Sequence, residues 1–197
     1  TMEITFKLYP VCHMTHSFAD CMFRARNEEH LTVEDISSVE CRIEDRCYHI
    51  VCEPDQAKKF PATDYMMRFS LPYVAAVSFV KGKLGPREID LRLVKDSRIR
   101  EMMDKIQCVS DDSKKNPGYF PGWIRITCRD GREIVLDQRY EKGTAQNPVD
   151  LDAVMMKFNS NMEIHYPEDR IGKIASTLQS LEKQENTADL LGLCHYL

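Results

Sequence analysis

No uncharged run in the sequence is long enough to cross a lipid bilayer. The longest run, 69–80, has twelve residues, whereas a membrane-spanning helix needs about 20. The chain also lacks an excess of positive charge, because 27 Lys and Arg oppose 31 Asp and Glu. Nucleic acids and anionic membranes are bound by clustered cations, so we expect neither as a partner, and any anion site must be local.

Signals for secretion and for disulfide bonding are also weak. Residues 1–7 alternate like a strand and lack the basic region and apolar run of a secretory signal. The eight cysteines follow no regular framework, and ten methionines accompany them. This usage favours reduced thiols in a protein of the cytoplasm or an organelle matrix. One cysteine-rich stretch contains Cys41, Cys47, His49 and Cys52 but no C-x-x-C pair. We interpret its cysteines as core or surface thiols.

Hydrophobic periodicity predicts an α+β protein. The predicted strands cover 4–9, 36–44, 48–52, 123–128 and 132–138, and the predicted helices cover 12–26, 64–80 with a restart at Pro72, 97–106, and two segments that follow 147–148 and Pro167. This order alternates too irregularly for a doubly wound sheet. We therefore expect helices packed on a largely antiparallel sheet, followed by C-terminal helices.

The hairpin around Asp130-Gly131 allows its register to be predicted. A three-residue loop, 129–131, with Gly131 in a left-handed conformation sets Ile126 opposite Ile134 and Ile124 opposite Leu136. A two-residue loop would divide these apolar side chains between the two faces of the sheet. The longer loop is therefore favoured.

The most informative segment is 7–20, which we call the N-terminal corner. It places Lys7 at the end of a predicted strand, a turn at Pro10, and His13 and His16 in the first turns of a helix. Cationic groups beside the free N–H donors of a helix start suit a carboxylate ligand. One alternative is that His16 pairs with Asp20 for structural reasons while His13 faces water. The other is that these three side chains bind a metal, although the sequence lacks a second group of ligands at the usual spacing.

Arg68 and Ser70 form a polar insertion in an otherwise apolar helical stretch. An arginine here either extends its guanidinium to solvent or binds a carboxylate through two hydrogen bonds, and the sequence leaves both open. No strand followed by a glycine-rich helix start is present, so nucleotide binding has no support.

Six segments in order resemble one known family. They are Lys7-Leu8-Tyr9-Pro10-Val11-Cys12-His13-Met14-Thr15-His16, Cys52-Glu53-Pro54, Arg68-Phe69-Ser70-Leu71-Pro72-Tyr73 with Ala75-Ala76, Asp130-Gly131-Arg132, Gly143 with Asn147-Pro148, and Lys157-Phe158. Their order and spacing over 4–182 are similar to the second half of MmgE/PrpD proteins. That family includes 2-methylcitrate dehydratase, cis-aconitate decarboxylase and iminodisuccinate epimerase.

The resemblance implies an organisation and a set of partners. Family members combine a large helical domain with a smaller α+β lid domain, place the active site between them, and usually form dimers. This chain would supply the lid over 1–160, and a C-terminal helical segment over 161–197 would pack on a helical domain that it lacks. The expected ligand is a small polycarboxylate, with neither a metal nor an organic cofactor, and a homo-oligomer is expected.

The resemblance also assigns roles to residues of the N-terminal corner. Lys7 would contact a substrate carboxylate, and His16 would bind substrate or hold the corner; these are the two expected catalytic residues. The decarboxylase has histidine where this chain has Cys12, which weakens decarboxylation as the specific reaction. Substrate binding is expected from four further side chains: Cys12, His13, Arg68 and Ser70.

Chemistry shared by the family is proton abstraction next to a carboxylate. This step needs a base of near-neutral pKa and cations that stabilise the developing negative charge. The leading hypothesis is therefore a lid domain of a dehydratase-like lyase or isomerase. The alternative is a non-catalytic module that binds a carboxylate metabolite or mediates dimer contacts.

Overall fold

The computed structural model describes residues 4–195 and shows an α+β fold. Its helices are α1 (His16–Asn27), α2 (Asp45–Val51), α3 (Asp55–Lys59), α4 (Asp64–Arg68), α5 (Leu71–Lys81), α6 (Ser97–Lys105), α7 (Leu151–Met162), α8 (Glu168–Gln179) and α9 (Ala188–Cys194). Its strands are β1 (Ile36–Ile43), β2 (Ile106–Ser110), β3 (Gly122–Cys128) and β4 (Glu133–Gln138). Among the described residues, no helix is long and apolar enough to span a membrane.

The four strands form one mixed sheet in the order β2-β1-β3-β4. The β1–β3 and β3–β4 pairs are antiparallel, whereas β1 and β2 are parallel. The expected α+β fold with a largely antiparallel sheet is confirmed, although β2 makes the sheet mixed, because it returns to the sheet through the long helical connection from α2 to α6. The hairpin register is confirmed: Ile126 pairs with Ile134, Ile124 pairs with Leu136, and Gly131 has φ +88°.

The core lies between one face of the sheet and the helices α1, α5 and α6. Alternate residues of β1 and β3, such as Val39 and Ile124, are buried on this face. Every residue of α5 from Leu71 to Phe79 is also buried, because this helix is apolar on all sides. The opposite face carries charged pairs, including Glu40 with Arg125 at 2.9 Å.

Two predicted strands are wrong. Residues 4–9 are extended but form no ladder with the described strands; the amide of Phe6 instead donates to the carbonyl oxygen of Gly143. Residues 48–52 belong mainly to α2, where Cys47 and Val51 are buried four residues apart. A short run containing Ile50, Val51 and Cys52 fits either a strand or a helical face, so periodicity could not decide.

The C-terminal helices contribute little to the main core. No residue of α7 is buried. Helix α8 buries Ile171 and Ile174, whereas Leu178 and Leu181, which continue the same helical spacing, are exposed. Helix α7 begins after Asp150, whose carboxylate accepts a hydrogen bond from the amide of Ala153. The proposed division of the chain at 160/161 stays a prediction.

Candidate functional site

Three hydrogen bonds around Cys12 and Arg68 fix the N-terminal corner. The amide of Cys12 donates to the carbonyl oxygen of Arg68 at 2.8 Å, and the Arg68 guanidinium donates to the carbonyl oxygen of Pro10 at 2.6 Å. The Thr15 hydroxyl then donates to the carbonyl oxygen of Cys12, at the short 3₁₀ turn His13–Thr15 that leads into α1. Arg68 thus holds the turn from the side of α4. The sequence predicted instead that its guanidinium extends to solvent or binds a carboxylate.

A pocket of about 350 Å³ opens at this turn. We call it the corner pocket, and it is lined by Lys7, Tyr9, Pro10, Val11, Cys12, Arg68, Phe69, Lys157 and Asn161. Three of these side chains are cations and none is a carboxylate. The chain as a whole carries a net charge of −4, so this pocket is a local positive site in an acidic protein.

The three cations have no carboxylate partner among residues 4–195. Arg68 donates to the carbonyl oxygen of Pro10, and the Lys157 ammonium donates to the carbonyl oxygen of Lys7. The Lys7 side chain is exposed and forms no ion pair or hydrogen bond with the described part of the chain. Cations that are left without counter-charges at one pocket favour an anionic ligand.

A larger groove of about 520 Å³ lies at the other end of α1, and one of its two arginines already has a carboxylate partner. Arg26 donates to the carbonyl oxygens of Phe79 and Val80 at the end of α5. Arg98 forms an ion pair with Glu34 at 3.2 Å. We therefore place the anion site at the corner pocket rather than in this groove.

Cys12 and Ser70 both lie near the turn, but only one of them lines the corner pocket, where a ligand can contact it. Cys12 lines the corner pocket, and burial raises the pKa of its thiol, so the neutral thiol predominates at neutral pH. Ser70 is fully buried: its hydroxyl donates to the carbonyl oxygen of Lys58 at 2.5 Å and accepts from the amide of Tyr73, which caps α5. Ser70 does not line the pocket.

His13 and His16 lie together and do not line the corner pocket. Their ring centroids are 4.7 Å apart, and the rings of Phe120 and Tyr9 lie 5.5 Å from His13 and 5.0 Å from His16, respectively. The His16 side chain is 1% exposed, and its Nε2 lies 3.4 Å from the carbonyl oxygen of Val11. Burial lowers the pKa of His16 to about 3, with a further contribution from His13. His16 is therefore neutral at physiological pH.

Asp20 is engaged by other side chains than His16. Its carboxylate accepts hydrogen bonds from the Tyr9 hydroxyl at 2.6 Å and the Gln138 amide at 2.7 Å, and it forms an ion pair with Lys142 at 3.3 Å. The structural alternative of a His16–Asp20 pair is therefore wrong, because no hydrogen bond joins these two described side chains. Instead, Asp20 connects Tyr9 to β4 and so holds the corner against the sheet.

Glu141 is a second buried carboxylate that sequence reasoning missed. It is 2% exposed, accepts a hydrogen bond from the amide of Phe120 at 3.0 Å, and has an oxygen 3.9 Å from His13 Nε2. His13 therefore faces this carboxylate and the ring of Phe120 rather than water. Burial lowers the pKa of His13, while Glu141 acts in the opposite direction.

The chain is similar to one protein family and to two curated proteins. The MmgE/PrpD C-terminal domain matches residues 9–183. The chain is 28% identical over 161 residues to the mitochondrial 2-methylcitrate dehydratase of Yarrowia lipolytica, covering 73% of this chain and 28% of that protein. It is 24% identical over 202 residues to the cis-aconitate decarboxylase of Mus musculus, covering 97% of this chain and 39% of that protein.

The chain thus spans well under half the length of these curated relatives. The family match, in contrast, covers most of this chain and includes the cysteine, arginine and lysine of the corner pocket: Cys12, Arg68 and Lys157. We conclude that the chain belongs to the MmgE/PrpD family, of which it contains the C-terminal domain.

Proposed function

We propose that this chain is the lid portion of a dehydratase-like MmgE/PrpD enzyme that acts on a small polycarboxylate. The observation that carries the proposal is the meeting of Lys7, Arg68 and Lys157 at one pocket, without a carboxylate partner among the described residues. Two curated relatives, named 2-methylcitrate dehydratase and cis-aconitate decarboxylase, support this class of substrate.

Each pocket cation has a defined task in this proposal. Removing a proton next to a carboxylate moves negative charge onto the carboxylate oxygens, and nearby cations lower the energy of that state. Lys7 supplies a mobile ammonium and Arg68 a guanidinium fixed by the carbonyl oxygen of Pro10. The two contacts strengthen as charge develops, so they favour the transition state over the bound substrate.

The base for proton abstraction would come from outside this chain. His16 is buried and does not line the pocket, so we assign it the positioning of the corner rather than contact with substrate. Cys12 is also poorly suited to act as the base, since its thiol is mostly protonated at neutral pH. A helical domain, as the resemblance implies, would supply the base, and Cys12 in place of a histidine favours dehydration over decarboxylation.

The same pocket also supports a binding module without catalysis. Cations without a base are sufficient to hold a polycarboxylate, which is what a metabolite-binding domain requires. The two functions differ in what the isolated chain does. As a lid it binds its ligand weakly and turns nothing over, whereas a sensor binds tightly by itself.

The first experiment measures binding of citrate to this chain by calorimetry and amide NMR shifts. We expect weak binding with shifts around residues 7–12 and 68–69, and loss of both in Lys7→Ala. Lys173→Ala, on the exposed surface of α8, is the matched control for removing one lysine. Absence of citrate binding by the unaltered chain would rule out the anion site.

The second experiment tests catalysis in a complete enzyme that joins this chain to a helical domain. There, Lys7→Ala should lower kcat/KM for 2-methylcitrate dehydration by about 100-fold with the fold intact. The chain alone should show no dehydratase, decarboxylase or epimerase turnover. Robust turnover by the chain alone, or full activity of Lys7→Ala, would contradict the proposed division of roles.

Partners and location are extensions of the same proposal. We expect a homo-oligomer in which this chain lies beside a helical domain of the same family, in the cytoplasm or an organelle matrix. The mitochondrial name of the fungal relative supports the matrix. Co-purification with a helical MmgE/PrpD domain would support the pairing.

A further inference from the structure

Helix α7 forms one wall of the corner pocket although it is poorly anchored in the core. No residue of α7 is buried, yet Lys157 and Asn161 both line the pocket together with Arg68. These two residues are four apart, so they lie on one face of the helix and one turn from each other. Helix α7 thus presents two polar side chains to a positive pocket, although burial of its own residues does not explain why it packs there.

Lys157 is coupled directly to Lys7. Its ammonium donates a hydrogen bond to the carbonyl oxygen of Lys7, which leaves two of its three N–H donors for other acceptors. The contact fixes the backbone from which the Lys7 side chain extends. It also brings a second ammonium to the same pocket, where an anion would relieve the repulsion between like charges.

Resting on the proposed function, we propose that Lys157 is a carboxylate-binding residue of this site and that Asn161 donates a hydrogen bond to the same ligand. Lys7 and Arg68 bind the ligand from the N-terminal corner and α4, and Lys157 binds it from α7. With Lys157 the pocket has three cations, so a tricarboxylate can pair one carboxylate with each of them, whereas a dicarboxylate leaves one cation without a partner. Lys157 is therefore a specificity element that favours a tricarboxylate over a dicarboxylate of similar length.

The test compares citrate with glutarate, a dicarboxylate of similar length, by calorimetry on the unaltered chain. Lys157→Met removes the charge with little change of shape, and Lys157→Arg retains it. Lys173→Met is the control for an exposed lysine outside the pocket. Circular dichroism and thermal melting verify that each variant folds, which half-exposed positions on a surface helix permit.

If the proposal holds, Lys157→Met weakens citrate binding by about tenfold or more, since one charge-assisted hydrogen bond is lost. Glutarate binding should fall by less than about threefold, and Lys157→Arg should stay near the unaltered affinity. Asn161→Leu should show the same selectivity change in smaller measure, because its hydrogen bond is uncharged.

Two results overturn the inference while leaving the proposed function intact. Either Lys157→Met binds citrate as the unaltered chain does, or it weakens citrate and glutarate equally, which would mean that Lys157 only supports the Lys7 backbone. Failure of the unaltered chain to bind citrate is a different result. It refutes the proposed function, and with it the role of Lys157.

Discussion

The backbones of Phe6 and Gly143 are in direct contact. The Phe6 amide donates to the Gly143 carbonyl oxygen at 3.0 Å, and a Cβ added to Gly143 would lie 2.4 Å from the Phe6 carbonyl oxygen. Gly143 also has φ +95°, a conformation that favours glycine. Since Phe6 precedes Lys7, this contact sets where the pocket lysine enters the site.

Gly143→Ala should therefore weaken citrate binding as well as stability. The added methyl group cannot fit against a backbone oxygen, so the segment carrying Lys7 must move. Gly131→Ala is a close control, because Gly131 has φ +88° but nothing within 4 Å of an added Cβ. We expect Gly131→Ala to cost about 1 kcal/mol of unfolding free energy with citrate affinity unchanged.

Urea unfolding and calorimetry on both variants test this prediction. Gly143→Ala should be the less stable of the two and should lose citrate affinity. Equal stability of the two variants, together with unaltered citrate binding, would contradict a role for the Phe6–Gly143 contact.

Sequence periodicity was sufficient where an element has a single buried face or a clear turn. The β3–β4 register followed from Gly131 and two apolar pairs, and α5 followed from its apolar run, its restart near Pro72 and its end at Gly82. Short apolar runs were ambiguous, so residues 48–52 were predicted as a strand. The parallel pairing of β2 depends on a connection from α2 to α6 that local patterns do not encode.

The candidate site was only partly predictable. Three motif residues, Lys7, Cys12 and Arg68, line one pocket, but no pattern in the sequence pairs them with Lys157 and Asn161 of the distant helix α7. Polar contacts between distant elements have no periodic signal. Two of the partners of Asp20, Gln138 in β4 and Lys142 in the segment after it, were missed for the same reason.

Acidification should destabilise the chain through His16. The pKa of His16 in the folded state is about 3, whereas an unfolded histidine has a pKa near 6.5. Above about pH 6.5 both states are neutral and His16 has no effect. As the pH falls below this value, only the unfolded state takes up the proton, so stability falls until about pH 3. From pH 7.5 to pH 5 the loss is about 2 kcal/mol.

Urea unfolding across this pH range measures the effect, and His16→Gln should remove that part of the slope. His49→Gln is the control: the carboxylates of Glu53 and Asp45 raise the pKa of His49, whose stabilising contribution is present at low pH and is lost as pH rises. The His49→Gln variant should therefore lose as much unfolding free energy on acidification as the unaltered chain does. A slope unchanged in His16→Gln would show that His16 is not buried in its neutral form.

Thiol labelling should resolve the eight cysteines into three classes. Cys194 is exposed, Cys108 is intermediate, and the other six are buried. Burial raises the pKa of Cys21 to about 12, so it forms almost no reactive thiolate at pH 8. In the native chain we expect one fast reaction with a thiol reagent, lost in Cys194→Ser, and one slow reaction. The remaining thiols should react only after unfolding, and rapid labelling of all eight in the native chain would contradict this burial.

The C-terminal segment should mediate self-association of the isolated chain. Leu178, Leu181 and Leu191 are 42%, 42% and 68% exposed, and the apolar sequence continues into Tyr196 and Leu197, which lie outside the described residues. Apolar surface left in water forfeits about 25 cal/mol per Å² of possible burial. Contact between copies through residues 167–197 recovers part of that free energy where no helical domain covers the surface.

Sedimentation velocity over a range of protein concentrations tests this association. We expect oligomers that increase with concentration, and a shift toward monomer when Leu178, Leu181 and Leu191 are replaced by glutamine. Leu91→Gln, at a similarly exposed leucine outside the segment, should leave association unchanged. Because the three leucines lie on the surface, the triple variant should keep its fold, which circular dichroism verifies. A monodisperse monomer at high concentration would instead indicate that the C-terminal helices are self-sufficient without a partner.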